Sequence, residues 1–80
     1  MKEYPIDKML RALERRADLT GVEIDANPDY TFICAVMVAV DYGEAVSYEL
    51  KEQTYYRLRK LFQEFNLDFG ATIVKILLGE

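Results

Sequence analysis

The sequence predicts an α+β fold in the order α-β-β-β-α-β, with two helices packed on one side of a four-stranded, mainly antiparallel sheet. Three observations carry that expectation. Two segments, 5–17 and 52–66, repeat apolar residues at the period of a helix face. Three short segments, TGVEIDA, AVSYEL and ATIVKILL, alternate or are rich in β-branched residues. Between the first two of these lies YTFICAVMVAV, apolar on both alternating sets and bounded by NPD and DYGE, which read as turns.

In the first helix, Ile6, Met9, Leu10, Leu13 and Ala17 fall on one face, and Pro5 suits the opening turn because its missing N–H would be unpaired there. A helix is expected from Pro5 to Ala17. In the next segment Val22, Ile24 and Ala26 alternate with Glu23 and Asp25, the pattern of a strand from Thr20 to Ala26 with one wet side. Asn-Pro-Asp then presets a type I turn, so this strand and Tyr30 to Val40 are expected to pair as a hairpin. Gly43 in DYGE supports a second hairpin, returning through Val46, Tyr48 and Leu50. Tyr55, Leu58, Leu61, Phe62 and Phe65 mark a helix from about Glu52 to Asn66, and Ala71 to Leu78 is expected to be the fourth strand.

The two-sided apolar strand sets the first functional expectation. Its bulkier set, Phe32, Cys34, Val36 and Val38, is assigned to the helices. Its other set then joins the last strand in an apolar stripe of Ile33, Met37, Ile73 and Leu77 on the open side of the sheet. An apolar centre with a charged rim suits an interface, and 80 residues bury little core alone, so a homo-oligomer, most simply a homodimer, is expected. The chain reads as one domain, 1–80. With 51% apolar and 30% charged residues it belongs with globular proteins, not disordered ones.

Charge is segregated along the chain. Residues 17–50 carry seven acids and no lysine or arginine, whereas the flanking segments are basic on balance. An acidic band of Glu23, Asp25, Asp29, Asp41, Tyr42, Glu44 and Glu49 is therefore the expected partner-binding surface, complementary to a protein with a basic, nucleic-acid-handling face. In size, charge and layout the chain resembles compact acidic phage-encoded anti-defence proteins, although it shares no motif with them. The resemblance implies a viral inhibitor of a host or defence complex. The plainer reading of the same acids is solubility. The alternative function is an oligomeric binder of a phosphorylated small molecule or nucleotide at a subunit junction, through Arg11, Arg15 and Arg57.

The chain has no histidine and one cysteine, Cys34, so neither Ser47 nor Cys34 has a histidine base to activate it, and no disulfide can form within the chain. No enzyme, cofactor or metal site is expected. The α-β-β-β-α order is similar to that of double-stranded-RNA-binding domains. However, LKEQTYYRL, where that family carries its basic run, is not basic, so direct nucleic-acid binding is not expected. The apolar run Phe32 to Val40 is too short to span a bilayer, and no export signal is read at the N-terminus. The expected location is the cytoplasm, or a host's cytoplasm if the chain is phage-encoded.

Overall fold

The computed structural model describes residues 4–79. Among them lie four α-helices and no strand: α1 (Pro5–Thr20), α2 (Pro28–Asp41), α3 (Tyr48–Glu64) and α4 (Phe69–Leu77), with a 3-10 turn at Ile24–Ala26. The expected α+β fold is therefore wrong. All four segments read as strands are helices or helix connections, and the open sheet face built from them does not exist.

The same few residues explain each correction. Gly21, at φ 71°, closes α1, and the N–H of Val22 bonds the carbonyl of Ala17 at 2.9 Å, so α1 runs three residues beyond its expected end. The apparent alternation of 22–26 is a connection and a single 3-10 turn. Asn27 is a helix cap, not the start of a hairpin turn. Its side-chain oxygen accepts the N–H groups of Asp29 and Tyr30 at 2.9 and 3.3 Å, and Pro28 occupies the first helical position. Gly43, at φ 79°, follows the end of α2. Ser47 then caps α3 through the N–H of Leu50 at 3.1 Å, so residues 45–50 lead into a helix instead of forming a strand. Asp68 caps α4 through the N–H of Ala71 at 2.9 Å, and ATIVKILL is helical as far as Leu77 despite its β-branched residues.

Leu13, Ile33, Leu58, Leu61 and Phe62 are fully buried at the centre, joined by Met9, Leu10, Ala17, Ile24, Tyr30 and Met37. Helix α2 packs chiefly on α3, whereas α4 lies across α1 and α3. The Phe69 ring meets Phe62 and Tyr55 edge to face, each pair with centroids 5.3 Å apart. Ile33 and Met37, expected at an oligomer interface, are core residues with exposures of 0% and 7%. Ile73 is half-buried against that core, and Leu77 is 77% exposed on α4.

Polar contacts tie α2 to both longer helices. The phenol of Tyr30 donates to the Glu14 carboxylate of α1 at 2.5 Å. Burial, then the bond to Glu14 and the neighbouring Cys34, push the phenol far above its ordinary range. Burial likewise raises the Cys34 thiol, leaving it a poor nucleophile. Among the described residues, every buried side-chain nitrogen or oxygen has a partner.

Leu61→Ala removes a fully buried side chain from the centre and is expected to cost about 2–5 kcal/mol in urea denaturation. A cost below about 1 kcal/mol would show that this face of α3 is not core. Tyr30 gives a prediction in pH. Above pH 10.0, the ordinary tyrosine value, the unfolded chain sheds the phenolic proton while the folded chain retains it. The contribution is thus full below about pH 10 and declines as pH rises further. Tyr30→Phe is expected to flatten this decline and to cost about 1.5–3 kcal/mol at neutral pH, as a hydrogen bond to a charged group does. Cys34→Ala measured in parallel separates the thiol, which contributes with the same sign from its ordinary value of 9.0 upward.

Candidate functional site

Beside its core face, helix α1 carries a stripe of side chains at positions 8, 11, 12, 15, 16 and 19, the spacing of neighbouring turns. Helix α4 crosses beside it, held by Phe69, Ile73 and Ile76 against the core. Between the two helices runs a groove of about 700 Å³. Lys8, Arg11, Arg15 and Arg16 of α1 and Lys75 of α4 supply its cations, while Ala12, Leu19, Leu67 and Ile76 supply its apolar surface. Among the described residues, no carboxylate lines it.

Five of the chain's ten bases thus share one groove in a protein of net charge −4. Two of the three acids of α1 are engaged elsewhere. Asp7 accepts the N–H of Tyr4 at 2.9 Å, and Glu14 accepts the phenol of Tyr30. Among the described residues, Lys8, Arg15, Arg16 and Lys75 have no carboxylate within ion-pairing distance. Thr72, also in the wall, donates its hydroxyl to the Asp68 carbonyl at 2.8 Å, which leaves the oxygen as an acceptor only.

The expected sites are redistributed. Arg11 and Arg15 share the groove, but Arg57 does not belong to it. Arg57 and Asp29, assigned by sequence to rival surfaces, are partners at 2.9 Å, with Lys60 reaching the other Asp29 oxygen at 3.4 Å. The guanidinium also lies 4.2 Å from the centre of the Phe32 ring. The Asp29 side chain is only 12% exposed, so it is an internal strut between α2 and α3 and not a partner-facing acid. Glu23 and Asp25 are exposed beside the 3-10 turn, before α2. Asp41, at the last position of α2, and Tyr42, Glu44 and Glu49 beyond it are exposed. The 14 residues of α2 rise roughly 1.5 Å each, about 20 Å in all, so the expected acidic band is two separate patches.

No family model, no curated protein and no solved structure matches this chain. The site must therefore be read from its own chemistry. Among the described residues, no cluster of carboxylates and thiols is suited to a metal ion, and no helix is long and apolar enough to cross a membrane. Lys2, which adds to the basic balance of the N-terminal segment, lies outside the described residues. Sequence reasoning missed Lys75 as a groove residue, because a strand at 71–78 points it to a sheet rim. Helical spacing puts Lys8 on one stripe with Arg11 and Arg15, and Arg16 beside it, but the sequence reading favours ion pairing with Asp7 and Glu14 and an ordinary solvated face for these bases.

The Asp29–Arg57 strut is tested by Asp29→Ala, Arg57→Ala and the double variant in urea denaturation. A coupling of about 1 kcal/mol or more is expected for residues sharing a partly buried ion pair. Additive single effects would show that the pair does not join α2 to α3.

Proposed function

We propose that the protein is a non-enzymatic binding module whose ligand carries phosphate groups, held in the groove between α1 and α4. The observation that carries this reading is the convergence of five cationic side chains on a groove that, among the described residues, no carboxylate lines. Arginine forks suit phosphate oxygens, each charge-assisted bond being about twice as strong as a neutral one. The surface of Ala12, Leu19, Leu67 and Ile76 takes the uncharged body of the ligand. A groove of about 700 Å³ has the size of a small-molecule site.

The ligand class is a phosphorylated small molecule or nucleotide, not a long nucleic acid. Exposed Asp18, Glu23 and Asp25 follow Arg16 along the chain, and the net charge is negative, so attraction is confined to the groove while an extended polyanion meets repulsion outside it. The rival reading, in which the acids engage a basic protein, lacks its premise: the hairpins that aligned them are absent, and Asp29 is occupied by Arg57 and Lys60.

Titration calorimetry against a panel of nucleotides, sugar phosphates and pyrophosphate tests the proposal. Binding is expected to weaken with salt. Arg15→Glu and Lys75→Glu are each expected to weaken it about 10-fold or more, the scale of a lost charge-assisted hydrogen bond. Both residues are exposed, so the fold should survive. The proposal fails if no member of the panel binds at low salt, or if both reversals leave the affinity unchanged.

A further inference from the structure

The cationic groove between α1 and α4 is chemically one-sided. Its lysines and arginines offer N–H donors and no acceptor. Among the described residues in its wall, the Thr72 hydroxyl is the one side-chain acceptor, since its proton goes to the Asp68 carbonyl at 2.8 Å. No aromatic ring, amide or carboxylate is among them. The rest of the wall is aliphatic. Ala12, Leu67 and Ile76 are half-buried against the core and form a fixed floor. Leu19 stands out from that floor, 84% exposed, more than any other large apolar side chain among the described residues.

Such a wall divides phosphorylated ligands by what the phosphate is attached to. A sugar or a nucleobase brings hydroxyl and amine donors, and this wall answers them with one acceptor, so most stay bonded to water and add little. A base also seeks a flat face, and stacking it on an arginine withdraws that arginine from the phosphate. An aliphatic body has neither need. Laid on Ala12, Leu19, Leu67 and Ile76, it removes apolar surface from water and leaves all five cations to the anion. The order of residues along α1 fits such an ester. Leu19 lies one turn beyond Arg15 on the same stripe, so an anion held at Arg15 has its substituent within reach of the leucine.

We infer that the groove takes a soluble phosphate or diphosphate ester of an aliphatic chain, with the anion on the α1 cations and Lys75 and the chain over Leu19 and the floor. This narrows the phosphate reading and rests on it. A phospholipid in a bilayer offers a similar anion, but its chains already lie in an apolar medium and gain nothing by moving onto the floor of the groove. The free ester, whose chain is otherwise in water, gains from both parts of the site.

Titration calorimetry on the full chain at low salt tests it with ethyl, butyl and hexyl phosphate, all below any micelle-forming concentration, beside adenosine monophosphate, pyrophosphate and hexanol. Affinity is expected to rise about twofold per added methylene, the effect of covering half of a group worth about fourfold when fully buried. Hexyl phosphate should therefore bind about 10-fold or more tighter than ethyl phosphate, and tighter than adenosine monophosphate, which carries the same charged group. Leu19→Ser, at an exposed position, is expected to cut the hexyl-to-ethyl ratio about threefold or more. An unchanged ratio in that variant overturns the placement of the chain. A flat series, or a nucleotide that binds more tightly than the hexyl ester, overturns the aliphatic assignment, while salt-dependent binding of pyrophosphate then leaves the phosphate reading standing. If hexanol binds as tightly as hexyl phosphate and Arg15→Glu weakens neither, the phosphate reading falls and the ester falls with it. Co-sedimentation with vesicles of phosphatidic acid in phosphatidylcholine, without binding of the free esters, assigns the cations to a membrane surface and also overturns the inference.

Discussion

The arrangement of the three longer helices depends on the first turn of α2. Four consecutive residues there do four different jobs. Asn27 caps the helix and reaches toward Glu64 at 3.5 Å, Pro28 presets its first dihedral, Asp29 turns to Arg57 and Lys60 of α3, and Tyr30 turns to Glu14 of α1. Successive side chains on a helix point about 100° apart, so neighbours in sequence can address opposite neighbours in space. The apolar contacts of α2 supply most of the stabilisation but tolerate sliding and rotation. The polar contacts do not, because each has one geometry in which it is satisfied. A paired charge of this kind adds little net stability and a good deal of register.

That corner also shapes the opposite surface of α1. By taking Glu14 for Tyr30, and with Asp7 spent on the Tyr4 N–H, the fold removes acids that would otherwise temper the arginines one turn away. The cationic groove is therefore partly a by-product of where α1 directs its carboxylates. Lys75 completes it because Phe69, Ile73 and Ile76 fix the rotation of α4 against the core.

The sequence was legible where its period was unambiguous. α1 and α3 place apolar residues at helical spacing against charged backgrounds, and both are helices close to their expected limits. It was misread wherever polarity gave no contrast. In YTFICAVMVAV every register has an apolar side, so a period of two and a period of 3.6 fit equally, and valine and isoleucine tipped the reading toward a strand. Packing on α3 overrides that weak propensity. The punctuation was then interpreted to match: Asn27 was assigned to a turn and Ser47 to a strand, when each begins a helix. The site followed the same logic. The arginine stripe of α1 needed only helical period and was found, whereas the meeting of Lys75 with that stripe, and of Asp29 with Arg57, needed the tertiary fold.

The helical state of α2 bears on how this protein stays dispersed. Its central segment FICAVMVAV has the make-up of an amyloid-forming stretch, with no charge, proline or glycine. In a sheet, such a segment at an edge would offer unpaired backbone groups to another chain. Wound into α2, it spends those groups on itself, with Asn27 and the left-handed Gly43 marking the two ends of the winding. Solidification is thereby coupled to unwinding: the wound α2 shows no template, and the hazard scales with the fraction of time it is open. A cap residue such as Asn27 thus becomes a determinant of shelf life.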